Sequence, residues 1–161
     1  MIRTPTPWLV YGSLVIGVLF AIVPLPEAVN PARPYLLGML VIYWLMEAPL
    51  RVGMGTAFLA GLLADLTAAS LLGEQALRLV MLAFLVQRFR ARLRFLPLWQ
   101  QAVAVGLLLL NDRVVVALIH AIAGAPQSPL LSGLGPVLAM VLWPWLFVLI
   151  DMVRLRARER S

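Results

Sequence analysis

Six apolar stretches, separated by short turns rich in proline, glycine or arginine, leave this chain few choices of fold. They occupy positions 8–23, 35–48, 53–72, 75–89, 96–123 and 134–153. A bilayer core about 30 Å thick takes on the order of 20 residues of helix at 1.5 Å each, so the shorter stretches need tilt, local thinning or packing against neighbours. The chain has 161 residues, of which 63% are hydrophobic and 12% charged, far from soluble averages. The expected architecture is an all-α integral membrane protein of six transmembrane helices in one domain over 1–161.

Composition excludes several chemistries. All 13 basic residues are arginine, so a phosphate-binding loop lysine or a Schiff base is ruled out. Cysteine is absent and His120 stands alone, which removes thiolate nucleophiles, disulfides and the usual zinc sites. No cofactor or metal is expected. The net charge of +6 comes from arginines in short clusters between apolar runs, which fits membrane topology and anionic lipids and not a nucleic-acid surface.

Those arginines set orientation, since basic residues near span ends favour the cytoplasmic side. With the N-terminus inside, the inner segments hold Arg3, Arg51, the cluster Arg88, Arg90, Arg92 and Arg94, and the tail Arg154, Arg156, Arg158 and Arg160. The outer segments hold Arg33 and Arg78. Both termini are therefore expected in the cytoplasm. No small-residue cleavage pattern follows the first stretch, so it is expected to remain as a span. The segment "QRFRARLRF" alternates arginine with apolar or small residues and reads as a loop at the inner headgroup boundary.

Within the third stretch Gly53, Ala57, Gly61 and Asp65 recur every four residues on one helix face, with Ala60, Ala64 and Ala68 beside them. Small residues at that spacing admit another helix closely. Gly53, Ala57, Gly61 and Ala64 are thus candidate partner contacts, and so is "LWPW", where Pro144 interrupts the last span between Trp143 and Trp145.

Charge inside a span is costly unless it is partnered. Counting from the inner side places Asp65 about 18 Å deep and Asp112 about 24 Å deep, both in the outer half. Arg78 falls in the first turns of the fourth stretch at the same level. A polar layer of Asp65, Arg78, Asn111, Asp112 and Arg113 is expected, with the two carboxylates balanced by the two guanidiniums. Adjacent residues on a helix diverge by about 100°, so Asp112 and Arg113 must find separate partners. Gln101 and Asp112 share one face of the fifth helix, and Gly106, Arg113 and His120 another. His120 is expected to serve as a hydrogen-bonded residue.

"YWLMEAPLRVGMGTAFLAGLLADLTAASLLGEQAL", followed by "RFLPLWQQA" and "LWPW", resembles the MreD family of rod shape-determining membrane proteins, especially its proteobacterial form. The likeness runs from about Pro24 to the arginine-rich tail. Arg113 departs from the family pattern, in which an acidic residue near this point is familiar and an adjacent arginine is not. The resemblance implies a non-catalytic part in the elongasome, with direct binding of MreC. MreB, RodA and a class B penicillin-binding transpeptidase are implied as members of the same complex. It also implies a fold similar to the substrate-binding subunits of energy-coupling factor transporters, which leaves a small-molecule-binding transporter subunit as the alternative function.

Overall fold

Long apolar runs punctuated by Pro and Gly leave the backbone no partner but itself, and helices result. The computed structural model describes residues 6–29, 33–68, 71–126 and 134–159. Among them the elements are α1 (Pro7–Ile22), α2 (Leu36–Glu47), α3 (Met54–Ala68), α4 (Glu74–Phe95), α5 (Leu98–Ala123) and α6 (Leu134–Glu159). Arg3, Arg160, the side chain of Ala68 and residues 127–133 of the uncharged loop before α6 lie outside the described residues.

Pro7 opens α1, where its missing N–H costs nothing. Leu96 and Pro97 separate α4 from α5, and Gly124 ends α5 in the left-handed conformation. α5 and α6 are long and apolar enough to cross a membrane. α4 runs past the expected end of its stretch to Phe95, so the arginine cluster rides on its last turns and is not a loop. Arginine, leucine and alanine are strong helix formers, and the fall in hydropathy after Phe89 does not stop the helix.

α2 is the centre of the bundle. Every residue from Leu37 to Met46 is buried, as expected of a helix that is apolar on all sides. Its 12 residues span only about 18 Å, short for a bilayer, but neighbouring helices enclose it. Trp44 donates from Nε1 to Ser13 Oγ on α1 at 2.7 Å. Tyr43 packs edge-on against Trp44 and Phe147, with ring centroids 5.1 and 5.3 Å apart.

Consecutive helices run up and down. The C-terminal end of α3 meets the first turn of α4, and Asp112 in the later part of α5 meets Arg78 near the start of α4. At the opposite end, Arg90 of α4 reaches Met46, and Arg154 of α6 reaches Glu47. Polar side chains are thereby gathered at both ends of an apolar core.

Candidate functional site: a polar cluster at one end of the bundle

Gly73 holds the N-cap of α4 with φ +94°, a conformation glycine adopts without strain, and it has no side chain to cap the helix. Asp65 does that work from α3. Its Oδ1 accepts from the Gln75 N–H at 2.8 Å, and its Oδ2 accepts from the N–H groups of Gly73 and Ala76 at 3.0 and 3.2 Å. A carboxylate at the positive end of a helix satisfies otherwise orphaned donors and also gains from the helix dipole. This corrects the expected pairing of Asp65 with an arginine.

The Asp65 cap requires α3 and α4 to lie close, which the small residues permit. Ala57, Ala60 and Ala64 are buried. A Cβ on Gly61 would stand 2.5 Å from Ala76 Cα and 2.6 Å from the Gln75 carbonyl oxygen. The ridge expected to receive a partner is therefore covered by α4 of the same chain. Gly53, at the other end of α3, is half-buried near Gln87.

Arg78 is the hub of the cluster. Its Nε donates to Asp112 Oδ1 at 3.0 Å and its Nη2 to Asp112 Oδ2 at 2.5 Å, a two-pronged pairing in which both residues are buried. Glu74 Oε1 lies 3.9 Å from Arg78 Nη1, and Glu74 Oε2 lies 3.4 Å from His120 Nε2. The Tyr35 ring covers the guanidinium at 4.4 Å, and the Tyr35 hydroxyl donates to Gln75 Oε1 at 2.8 Å. Arg78 and Asp112 thus meet directly. Glu74, Tyr35 and Gln75 belong to the cluster without having stood out in the sequence.

Asn111 is exposed and lies outside the cluster, a correction to its expected place in the layer. Arg113 is half-buried and points elsewhere, so it does not balance either carboxylate by contact: its Nη2 passes within 2.7 Å of where a Cβ on Gly135 of α6 would stand. Gly106 is also covered by α6, through Met140. The His120 side chain reaches Glu74 of α4, whereas Gly106 and Arg113 meet α6. Gln101, on the Asp112 side, donates to the Leu93 and Leu96 carbonyls at the turn into α5.

The tryptophan pair also separates. Trp143 is wholly buried beside Phe147, whereas Trp145 is 76% exposed. Two residues along a helix differ by about 200°, so the pair cannot line a single notch. The helix continues through Pro144.

At the far end, Arg90 donates from Nε and Nη2 to the Met46 carbonyl at 3.2 and 3.1 Å, satisfying an acceptor in the last turn of α2. Arg154 donates to Glu47 Oε2 at 2.8 Å and to the Tyr43 hydroxyl at 3.2 Å. Arg88, Arg92, Arg94 and Arg156 remain exposed. Two arginines of the clusters, Arg90 and Arg154, thus tie helices together.

An all-helical bundle with polar side chains gathered at both ends leaves the family open, and comparison with known proteins decides it. The family model for rod shape-determining protein MreD matches residues 2–153. The chain belongs to the MreD family. It is 29% identical over 149 residues to rod shape-determining protein MreD of Haemophilus influenzae, covering 92% of each chain. No solved structure matches it. It is accordingly a membrane protein of a cell-shape family, and the clusters above are the internal ties of an MreD bundle.

Proposed function

We propose that this MreD-family chain is a non-catalytic scaffold of the elongasome. It spans the bacterial inner membrane six times, keeps both termini in the cytoplasm and binds the single membrane helix of MreC. Family membership supports the role in cell shape. The arginine-rich ends of α4 and α6 lie together and support the orientation, with the Asp65, Arg78 and Asp112 cluster on the periplasmic side. MreB, RodA and a class B penicillin-binding transpeptidase enter as members of the same assembly. Through this contact the chain helps to regulate lateral peptidoglycan synthesis.

One observation moves the proposed partner face away from the α3 ridge. An apolar groove of about 440 Å³ runs between α1 and α6 with α2 as its floor, from Trp8, Trp44 and Val153 to Ile16, Leu36 and Leu146. It follows the length of α2, the direction a membrane helix would take. Gly12 sits on its wall, with nothing within 4 Å of where its Cβ would be. A glycine facing open space on a groove wall lets a second backbone approach closely.

Gly12→Leu is therefore expected to leave thermal stability in detergent unchanged and to cut co-purification of MreC at least tenfold, about 1.4 kcal/mol or more. Gly55→Leu, on the exposed side of α3 and also with nothing within 4 Å, serves as the control. Undiminished MreC recovery with Gly12→Leu removes the groove from the proposal.

The alternative, a small-molecule-binding transporter subunit, requires an outer cavity lined by Asp65 and Asp112. The open cavity at that end is lined by Arg33, Arg78 and Arg113, and the recess that Asp112 does line is too tight for a ligand, so the scaffold remains the better-supported function.

A further inference from the structure

A cavity of about 190 Å³ opens beside the polar cluster, between the end of α1, the start of α2, the first turns of α4 and the later part of α5. Arg33, Arg78 and Arg113 all line it, together with Gln75, and no carboxylate does. Only Arg78 is neutralised there, by Asp112 and Glu74. Arg33 donates one Nη to the Val23 carbonyl at 3.0 Å and stacks over Phe20 at 4.9 Å, while its other Nη is buried without a hydrogen-bond partner. Arg113 has no ion-pair or hydrogen-bond partner among the described residues. Two guanidiniums facing one recess, neither in contact with a carboxylate, are an arrangement a folded chain keeps only at a cost.

We infer that this recess binds a phosphate group, as the headgroup of an anionic phospholipid. The donors come from several directions: Arg33 from the loop before α2, Arg113 from α5, and the Gln75 amide nitrogen from α4. The Tyr35 hydroxyl already occupies the Gln75 oxygen, so that side chain offers donors to the recess. Several oxygens around one phosphorus accept such divergent donors, and guanidinium is the side chain best shaped to meet them. The rest of the wall is apolar, with Gly17, Phe20, Leu36 and Leu37, and acyl chains would lie against it. Free phosphate shares the headgroup chemistry but has no use for that wall. Assignment to the outer leaflet rests on the proposed orientation; binding itself does not.

The test uses the purified full chain in nanodiscs of phosphatidylcholine with and without a minor fraction of phosphatidylglycerol, with native mass spectrometry to count retained lipid. A parallel thermal-shift titration in detergent uses inorganic phosphate. Wild-type protein is expected to retain phosphatidylglycerol in preference to phosphatidylcholine. Arg113→Gln and Arg33→Gln are each expected to weaken retention on the order of tenfold, as the loss of a charge-assisted hydrogen bond would. Arg156→Gln, exposed at the other end, is expected to change nothing.

Arg113→Gln removes a half-buried cation that contacts no carboxylate, so its melting temperature in phosphatidylcholine should equal or exceed that of wild type. If it fails to fold, Arg33→Gln in the loop carries the test. A saturable phosphate shift lost in Arg113→Gln without lipid preference would keep the anion site and overturn the lipid as its source. Retention by both variants at the wild-type level, an equal loss in Arg156→Gln, or no binding of either probe would overturn the site.

Discussion

Asp112→Leu is expected to be the most damaging single change in the charged cluster, lowering stability by about 3 kcal/mol, the low end of what breaking a buried ion pair costs. The loss comes less from the missing attraction than from Arg78, which stays buried with two of its donors vacated. Glu74, 3.9 Å from Nη1, softens the effect, and at that distance it does not replace a two-pronged carboxylate. The double variant Arg78→Leu/Asp112→Leu should recover most of the stability, since two apolar side chains leave no orphaned charge. Thermal unfolding in detergent of the two single variants and the double gives the coupling directly. A double variant no better than the sum of the singles would mean that the pair is not the hub of the cluster.

Gly61→Leu is expected to prevent normal assembly of the bundle, and Gly61→Ala to show the same defect in milder form. The obstruction is backbone: Ala76 Cα at 2.5 Å, the Gln75 carbonyl oxygen at 2.6 Å and the Ala76 nitrogen at 2.7 Å from the added Cβ. A flexible side chain can be pushed aside, but here α4 itself must move. Moving it also withdraws the Gly73, Gln75 and Ala76 N–H groups from Asp65, so overpacking of about 1–3 kcal/mol is compounded by loss of a cap worth about 1 kcal/mol. Yield and melting temperature should fall in step. A Gly61→Leu protein with wild-type melting temperature would contradict the close α3–α4 contact. Loss of MreC binding in this variant says nothing about a partner face, which is why Gly12 is the better probe.

Several features were legible in the residues themselves. Apolar segmentation marked where the helices lie, and depth counting brought Arg78 and Asp112 to one level. Asp65 was recognised as needing a partner, but a pattern of charges suggests only other charges. Its partners are backbone N–H groups that become available because Gly73 cannot cap α4. The small-residue ridge announced close helix contact without indicating whether the second helix came from the same chain. Glu74 was hidden because a carboxylate in the first turn of a helix is ordinary, and Tyr35 because its ring reads as core or interface. Trp143 and Trp145 could have been separated by helix geometry alone. Arg90 and Arg154 could not be told from their exposed neighbours, since their acceptors, the Met46 carbonyl and Glu47, come from a different helix.

The absence of cysteine makes the central proposal directly measurable. Single cysteines at Gly12, on the α1–α6 groove, and at Leu59, on the exposed face of α3, can each be paired with a cysteine scanned along the membrane helix of MreC. Oxidative cross-linking in native membranes is expected to trap Gly12→Cys with MreC at positions repeating every three to four residues, and Leu59→Cys at none. Cross-links from Leu59→Cys, with none from Gly12→Cys, would contradict the groove as the scaffold's partner site.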